Sequence, residues 1–208
     1  MTYESDLSLL AAGSYWDIRK FASDPPFDNR APTPSGWEVV PGYDTPFSGG
    51  RGNGFSARVY KNSSTGEVVI SYAGTEFGNT TSGFISDFIS GNIPLALGRY
   101  GAQALEAAKL YQRVKADAAL SDNITFTGHS LGGGLASVMA VWFDRPATVF
   151  AAAPFQRSAD SSQVDPTLGP PNPALARVKA ELLKVGAIDP AFAAYNPFTD
   201  FAAREQNV

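Results

Sequence analysis

The pattern of hydrophobic and polar positions divides the chain into strands that alternate with helices. Apolar residues recur at helical spacing over Asp6–Ile18 and over Tyr100–Ala119, which predicts an amphipathic helix at each place. Short runs rich in β-branched and aromatic residues predict strands at Trp37–Val40, Phe55–Tyr60, Glu67–Ala73, Ile124–Thr127 and Ala147–Ala152. The turn-forming Asn62–Gly66 joins two of these strands into an antiparallel hairpin. Beyond it strands and helices alternate, which predicts a mostly parallel sheet with helices on both faces and the hairpin at its edge.

The last quarter of the chain has a different pattern. Gln156–Pro173 is polar and carries four prolines, so we expect a loop there, and Ala174–Lys184 follows with the spacing of a helix. Asp189-Pro190 and Asn196-Pro197 are turn signals. No strand pattern comes after them, so we expect the fold to be incomplete at its C-terminus.

Composition indicates one folded domain. The 208 residues are 44% hydrophobic and 17% charged, which is typical of a globular chain long enough to bury a sizeable core. We therefore expect a single α/β domain over residues 1–208, with its core at 55–155 and a partial C-terminal part at 156–208.

Charge and cysteine content exclude several classes of function. A net charge of −4 provides no basic face, so we expect no nucleic-acid partner. The absence of cysteine excludes a disulfide scaffold, a thiol nucleophile and thiolate zinc sites, and we expect neither metal nor cofactor. The acidic start Met1–Asp6 lacks a signal-peptide pattern, and no apolar run reaches the roughly 18 residues of a spanning helix. We therefore expect a soluble chain whose export, if any, uses another signal.

The motif Gly128-His129-Ser130-Leu131-Gly132 lies between the strand Ile124–Thr127 and the helical pattern Leu131–Phe143. A Gly-x-Ser-x-Gly at a strand-to-helix turn is typical of the nucleophile elbow of α/β-hydrolases, in which glycines leave room around the turn. Such a turn lifts the serine hydroxyl out of the sheet and aims the first N–H groups of the helix at the atom under attack. We predict that Ser130 is the nucleophile and that the Leu131 N–H stabilises the oxyanion. The alternative is a glycine-rich turn with an idle serine.

The second oxyanion donor is expected in the turn after the most apolar strand, at Gly74-Thr75. A loop at the carboxyl end of a neighbouring strand normally supplies this donor. The glycine permits close approach and the Thr75 hydroxyl can assist, so we predict that Thr75 completes the oxyanion site. The alternative is a strand that ends in an ordinary capped turn.

The base and acid that should activate a serine are not evident. The chain has one histidine, His129, and adjacent side chains at a strand end point to opposite sides, so we expect His129 to face away from Ser130. We interpret it as a partly buried residue with local hydrogen bonds. Asp189, which follows Ser130 by 59 residues (189 − 130), is the candidate acid, and Asp200 is another. Each also fits a turn or helix cap.

These motifs resemble the class 3 (fungal-type) lipases. Val68–Thr75 is similar to their strand and Arg-Gly-Thr turn, and Gly128–Gly133 is similar to their elbow, within a resemblance that covers roughly residues 55 to 155. The chain also resembles lipase-like modules of long secreted bacterial proteins with calcium-binding repeats. Two departures matter: Ala73 stands where the family has arginine, and the family's histidine is absent.

The resemblance implies a serine hydrolase of carboxylic esters that forms an acyl-enzyme through Ser130. It implies an ester or lipid substrate, and it places a lid at Phe77–Leu97, which could make transient contact with a lipid interface; the alternative for this segment is a core helix. It also favours secretion without an N-terminal signal peptide over a cytoplasmic location. The oligomeric state is left open.

Two hypotheses account for the missing residues. In the first, the acid and histidine lie on a continuation beyond Val208, and this chain alone has little or no activity. In the second, the chain is a complete non-catalytic α/β-hydrolase fold that binds a lipid or another ligand.

Overall fold

A computed structural model describes residues 2–16, 30–46, 54–74, 93–120, 122–159, 174–186 and 188–208. Its centre is a five-stranded sheet with the strand order β1-β2-β3-β4-β5. The strands are β1 (Trp37–Val39), β2 (Ala57–Asn62), β3 (Val68–Tyr72), β4 (Ile124–His129) and β5 (Ala147–Phe150).

The sheet is antiparallel at one edge and parallel through its centre. Strands β1, β2 and β3 pair antiparallel, and the hairpin between β2 and β3 turns at the segment expected from the sequence. Strands β3, β4 and β5 pair parallel, with Tyr72 opposite Gly128 at the last β3–β4 pair and His129 opposite Phe150 between β4 and β5. The predicted α/β-hydrolase-like architecture is therefore confirmed.

Helices cover both faces of this sheet. Helix α1 (Tyr3–Gly13) packs Leu7 and Leu10 against Tyr60 and Val69 on one face. The other face carries α2 (Ile93–Ala116) and α3 (Leu131–Phe143). The side of α2 that the sequence predicted to be apolar is fully buried, at Ala104, Ala107, Ala108, Tyr111 and Val114. Among the described helices, none has the length and apolar character to cross a membrane.

The remaining described helices all follow β5 along the chain. They are α4 (Gln156–Ala159), α5 (Ala174–Lys184), α6 (Pro190–Ala194) and α7 (Pro197–Arg204), followed by one 3-10 turn at Glu205–Asn207. The sequence predicted α5 with its observed bounds, but it predicted only turns where α6 and α7 occur. The reason is that Asp189 and Asn196 act as N-caps with proline in the first turn, a combination that starts helices as readily as turns.

Two predicted helices have different bounds in the structure. The long helix α2 spans Ile93–Ala116 rather than Tyr100–Ala119, so it includes the last residues of the segment expected to form a lid. Residues 77–92 of that segment lie outside the described part of the chain. The first helix ends at Gly13 with Ser14 as its C-cap, whereas the sequence predicted helix as far as Ile18. The early end places Tyr15 in a turn rather than on a helix face.

Candidate active site

Ser130 lies between the end of β4 and the start of α3, at the strand-to-helix turn that the sequence predicted. Its backbone has φ 56° and ψ −124°, a conformation that residues with a side chain rarely adopt. Such a conformation costs about 1–3 kcal/mol, so the surrounding structure must hold it in place. The turn therefore has the strained geometry expected of a nucleophile elbow.

Glycines allow the elbow to pack against the backbone on either side. A Cβ on Gly132 would collide with the carbonyl oxygen of Tyr72 at the end of β3, and one on Gly128 would collide with the carbonyl group of Gly132. A Cβ on Gly133 would lie 3.1 Å from the Cα and Cβ of Ala152, in the loop after β5. The start of α3 therefore lies between the ends of β3 and β5, and a side chain at any of these three glycine positions would press against neighbouring atoms.

The backbone of Ser130 is fully hydrogen-bonded. Its N–H donates to the Phe150 carbonyl at 3.1 Å, and its carbonyl accepts from the N–H groups of Gly134 and Ala153, both at 3.0 Å. The side chain does not cap the helix, and within the described chain no hydrogen bond holds its partly exposed hydroxyl. Among the described residues, the Ser130 hydroxyl therefore has no structural role.

The first N–H groups of α3 remain open beside this hydroxyl. In the part of the chain that the structure describes, Leu131, Gly132 and Gly133 donate no backbone hydrogen bond, and the series of helix bonds starts at Gly134. Open N–H groups at a helix start carry a partial positive charge and favour an anion. The Leu131 N–H, predicted as an oxyanion donor, is therefore in a position to serve as one.

Gly74 lies directly against Leu131. A Cβ built on Gly74 would be 3.4 Å from the Leu131 nitrogen and 3.3 Å from the His129 carbonyl oxygen. The turn after β3 thus approaches the elbow as closely as the sequence argument required. Thr75, the predicted second donor, lies outside the described residues.

Tyr15 joins these two strand ends, a contact that the sequence did not reveal. Its hydroxyl accepts the N–H of Gly74 at 2.8 Å and donates to the carbonyl oxygen of His129 at 3.3 Å. The partners are 59 and 114 residues away along the chain. No local motif signals contacts of that range, and the helical pattern extended through Tyr15 suggested a different environment.

His129 is exposed, so the expectation that it is partly buried was wrong. The other five residues of β4 are buried, and His129 is the last residue of the strand. Its backbone is held by β5 and by Tyr15.

The structure does not bring Asp189 to Ser130. Oδ1 of Asp189 accepts the Ala191 N–H at 2.8 Å, which makes Asp189 the N-cap of α6, and Oδ2 accepts the Tyr111 hydroxyl at 3.0 Å. The same hydroxyl accepts a hydrogen bond from Nε of Arg145, just past the end of α3. A helix of 13 residues is roughly 20 Å long, and this length separates Asp189 from the elbow. The helix-cap interpretation therefore explains Asp189.

Asp200 has an equally local role. Its carboxylate accepts hydrogen bonds from the Thr199 hydroxyl and the Asn196 N–H, which lower its pKa below the usual range. Among the described residues, no group of three or more histidine, aspartate or glutamate side chains comes close enough to hold a metal ion.

A mixed sheet, in which the parallel strand β4 ends in a strained serine turn, with helices on both faces, defines an α/β-hydrolase-like protein. The profile of the Tle-like phospholipase domain matches residues 20–167, more than half of the chain, and the chain belongs to that family. The matched part contains the Gly74 turn, the elbow and β5, and it ends before Asp189. The function is therefore that of a lipid ester hydrolase in broad terms. The match shows a phospholipase- or lipase-like family, and it does not show the narrower class 3 assignment. No curated protein matches the chain.

Proposed function

We propose that the protein hydrolyses carboxylic esters of lipids, with Ser130 as the nucleophile. The observation that carries the proposal is the strained Ser130, whose hydroxyl stands beside the open N–H groups of α3. Strain of this kind persists only where the fold determines it, and it is concentrated at functional sites. Membership in a phospholipase family supports the choice of ester chemistry over other uses of a helix start.

In the proposed reaction, the Ser130 hydroxyl attacks the acyl carbonyl carbon of the substrate. The oxyanion that forms accepts hydrogen bonds from the Leu131 N–H and from Thr75. Collapse of the intermediate expels the alcohol and leaves an acyl group on Ser130, which water then removes. The helix start stabilises the negative charge of each tetrahedral intermediate.

Activation of Ser130 requires a base, and histidine is the usual one. The only histidine of the chain is the exposed His129, whose side chain precedes Ser130 on the strand and is expected to point to the other side. We therefore propose that the 208-residue chain by itself hydrolyses esters slowly or not at all. Loss of the base from a serine triad reduces kcat by as much as about 10⁶.

We propose that the acyl group of the substrate binds under the apolar segment 77–97. We also propose that the protein acts outside the cell. Phenylalanine, isoleucine and leucine recur through this segment, as in a cover that opens at a lipid surface. Both proposals rest on the sequence.

A fluorophosphonate probe tests the nucleophile, because it reacts covalently with activated serines. We expect slow labelling confined to Ser130 and its loss in Ser130→Ala. The matched control is Ser137→Ala, since the Ser137 hydroxyl donates to the Gly133 carbonyl at 2.9 Å in the same helix and is buried. This variant should label at the wild-type rate.

Each other outcome has a definite meaning. Labelling that persists in Ser130→Ala would contradict the assignment of the nucleophile. Rapid labelling of the wild-type chain at neutral pH would show that a base is present and contradict the proposed slow turnover. Tight binding to phospholipid vesicles without labelling at any pH would contradict the enzyme hypothesis and support the hypothesis of a lipid-binding module.

A further inference from the structure

Tyr15 connects three separate parts of the fold at the candidate site. It lies in the turn after α1, while Gly74 follows β3 and His129 ends β4. Its hydroxyl accepts from the Gly74 N–H at 2.8 Å and donates to the His129 carbonyl at 3.3 Å. A phenol hydroxyl can accept and donate at once, so the single Tyr15 hydroxyl is a hydrogen-bond partner for the Gly74 N–H and for the His129 carbonyl.

The contact occurs where the β3–β4 ladder stops. The last pair of that ladder is Tyr72 with Gly128; β3 ends at this pair, and β4 continues by one residue, to His129. In the part of the chain that the structure describes, no sheet pairing beyond this pair holds Gly74 to the elbow. The Tyr15 hydroxyl supplies a bridge between the two backbones at this point.

The absence of a side chain at Gly74 is consistent with the close contact between Tyr15 and the turn. A Cβ there would lie 2.8 Å from the Tyr15 oxygen and 3.4 Å from the Leu131 nitrogen. A side chain would therefore displace the phenol and crowd the N–H proposed to stabilise the oxyanion. The turn, the phenol and the start of α3 are packed as one unit.

We propose that Tyr15 is a positioning residue that holds the Gly74 turn against the Ser130 elbow and so sets the position of the second oxyanion donor. The inference rests on the proposed function, because it assigns Tyr15 to the reaction of Ser130. The Gly74 N–H donates to Tyr15 and is not directed at the substrate. The proposed second donor, Thr75, is bonded to Gly74 along the chain, so we infer that anchoring the Gly74 backbone restricts where this donor can lie.

The test compares Tyr15→Phe with wild type by the rate of Ser130 phosphonylation. The probe concentration is varied at raised pH, where slow labelling is measurable over hours, to separate the limiting rate from probe affinity. Removal of one oxyanion donor costs about 10²–10³ in rate, and a donor that is only misplaced costs less. We expect the limiting rate to fall about tenfold with probe affinity within about twofold.

The matched control is Tyr43→Phe. The Tyr43 hydroxyl donates to Oδ2 of Asp117 at 2.9 Å, near the C-terminal end of α2, so this variant also removes a hydrogen-bonded phenol hydroxyl, with one bond where Tyr15 has two. Its limiting rate should equal that of wild type. An equal loss in both variants would attribute the effect to general destabilisation and overturn the proposal.

Amide hydrogen exchange at Gly74, followed by NMR, provides a readout that does not need a reaction. We expect exchange at least tenfold faster in Tyr15→Phe, with the amide of Ile70 in the centre of β3 unchanged. Unchanged exchange at Gly74, or faster exchange with an unchanged limiting rate, would overturn the proposal. If the wild-type chain never labels at Ser130, the proposed function fails. Faster exchange at Gly74 would then still support Tyr15 as the contact that holds the turn, and unchanged exchange would overturn that contact too.

Discussion

At the carboxyl end of helix α3, one nitrogen of Arg204 donates to the carbonyl oxygens of Val141 and Trp142 at 3.3 and 3.2 Å. At the amino end, no side chain among the described residues caps the helix, and three N–H groups have no backbone acceptor there. Both ends of a helix leave backbone groups that need partners, yet among the described residues side chains bond to these groups at the carboxyl end of α3 and not at the amino end.

The two ends also differ in packing. At the carboxyl end, the rings of Trp142 and Phe143 lie 5.2 and 4.9 Å from the ring of Phe192, and the Tyr111 ring lies 4.1 Å from Phe143. At the amino end, the glycines of the elbow place its backbone in direct contact with the backbone of neighbouring segments, around the strained Ser130. The carboxyl end contributes stability, and the amino end keeps an open site at a cost in stability. This contrast is the reason for proposing the active site at the amino end of α3 and not at its carboxyl end.

The largest effect is expected from Gly132→Ala at the amino end. The added Cβ would collide with the Tyr72 carbonyl, which is backbone and cannot move without shifting β3. We expect a loss of at least about 3 kcal/mol in the free energy of unfolding, measured by urea denaturation. Gly186→Ala is the control, since Gly186 has open space and a φ of +78°, so only the left-handed backbone cost of about 1–2 kcal/mol applies. Equal losses in the two variants would contradict the close packing at the elbow.

The next effect is expected from Arg204→Met at the carboxyl end. This change removes charged hydrogen bonds to Val141, Trp142 and Ala191 while keeping an aliphatic side chain of similar length. We expect a loss of about 2 kcal/mol in stability and an unchanged rate of Ser130 labelling below the melting transition. Arg177→Met, at an exposed position of α5, should change stability by less than about 0.5 kcal/mol. Slower labelling in folded Arg204→Met would show that the two ends of α3 are coupled.

A smaller effect, of opposite sign, is expected from Ser130→Gly. Glycine adopts positive φ without strain, so the change should relieve part of the 1–3 kcal/mol stored in the turn. Because glycine also makes the unfolded chain more flexible, we expect a net gain of about 1 kcal/mol, or a rise of roughly 2–4 °C in Tm. Ser130→Ala keeps the Cβ and should leave Tm nearly unchanged. A fall in Tm for Ser130→Gly would contradict the strain.

The smallest expected effect is a change in how stability depends on pH, and it concerns Tyr111 at the carboxyl end. Burial raises the pKa of Tyr111 from 10 to about 12. Because the folded state holds this proton more tightly, the stability it contributes is complete below pH 10 and is lost as the pH rises through 12. Stability should therefore fall less steeply between pH 10 and 12 in Tyr111→Phe than in wild type, as measured by urea denaturation at each pH. Identical slopes would show that Tyr111 does not hold its proton more tightly in the folded state.

The sequence predicted the sheet and the elbow because their signals are local. The run of apolar residues over Glu67–Ala73 and the Gly-x-Ser-x-Gly motif each lie within a few residues, and each forms the element that it predicted. The Tyr15 bridge could not be predicted, because it depends on where α1 ends and on which strand ends meet beneath it. Asp189 was ambiguous for a different reason: a carboxylate before proline looks the same whether it caps a helix or serves a histidine. Its hydrogen bond from the Ala191 N–H identifies it as the cap, and its contact with Tyr111 occupies the other carboxylate oxygen.

The most direct test of the central claim is a crystal structure of the chain after phosphonylation of Ser130. The adduct resembles the tetrahedral intermediate, so its phosphoryl oxygen occupies the place of the oxyanion. The account predicts this oxygen within about 2.7–3.1 Å of the Leu131 nitrogen, at the open end of α3 and beside the Gly74 turn. A phosphoryl oxygen directed into solvent, or an adduct on another residue, would contradict the claim that this end of the helix is an active site.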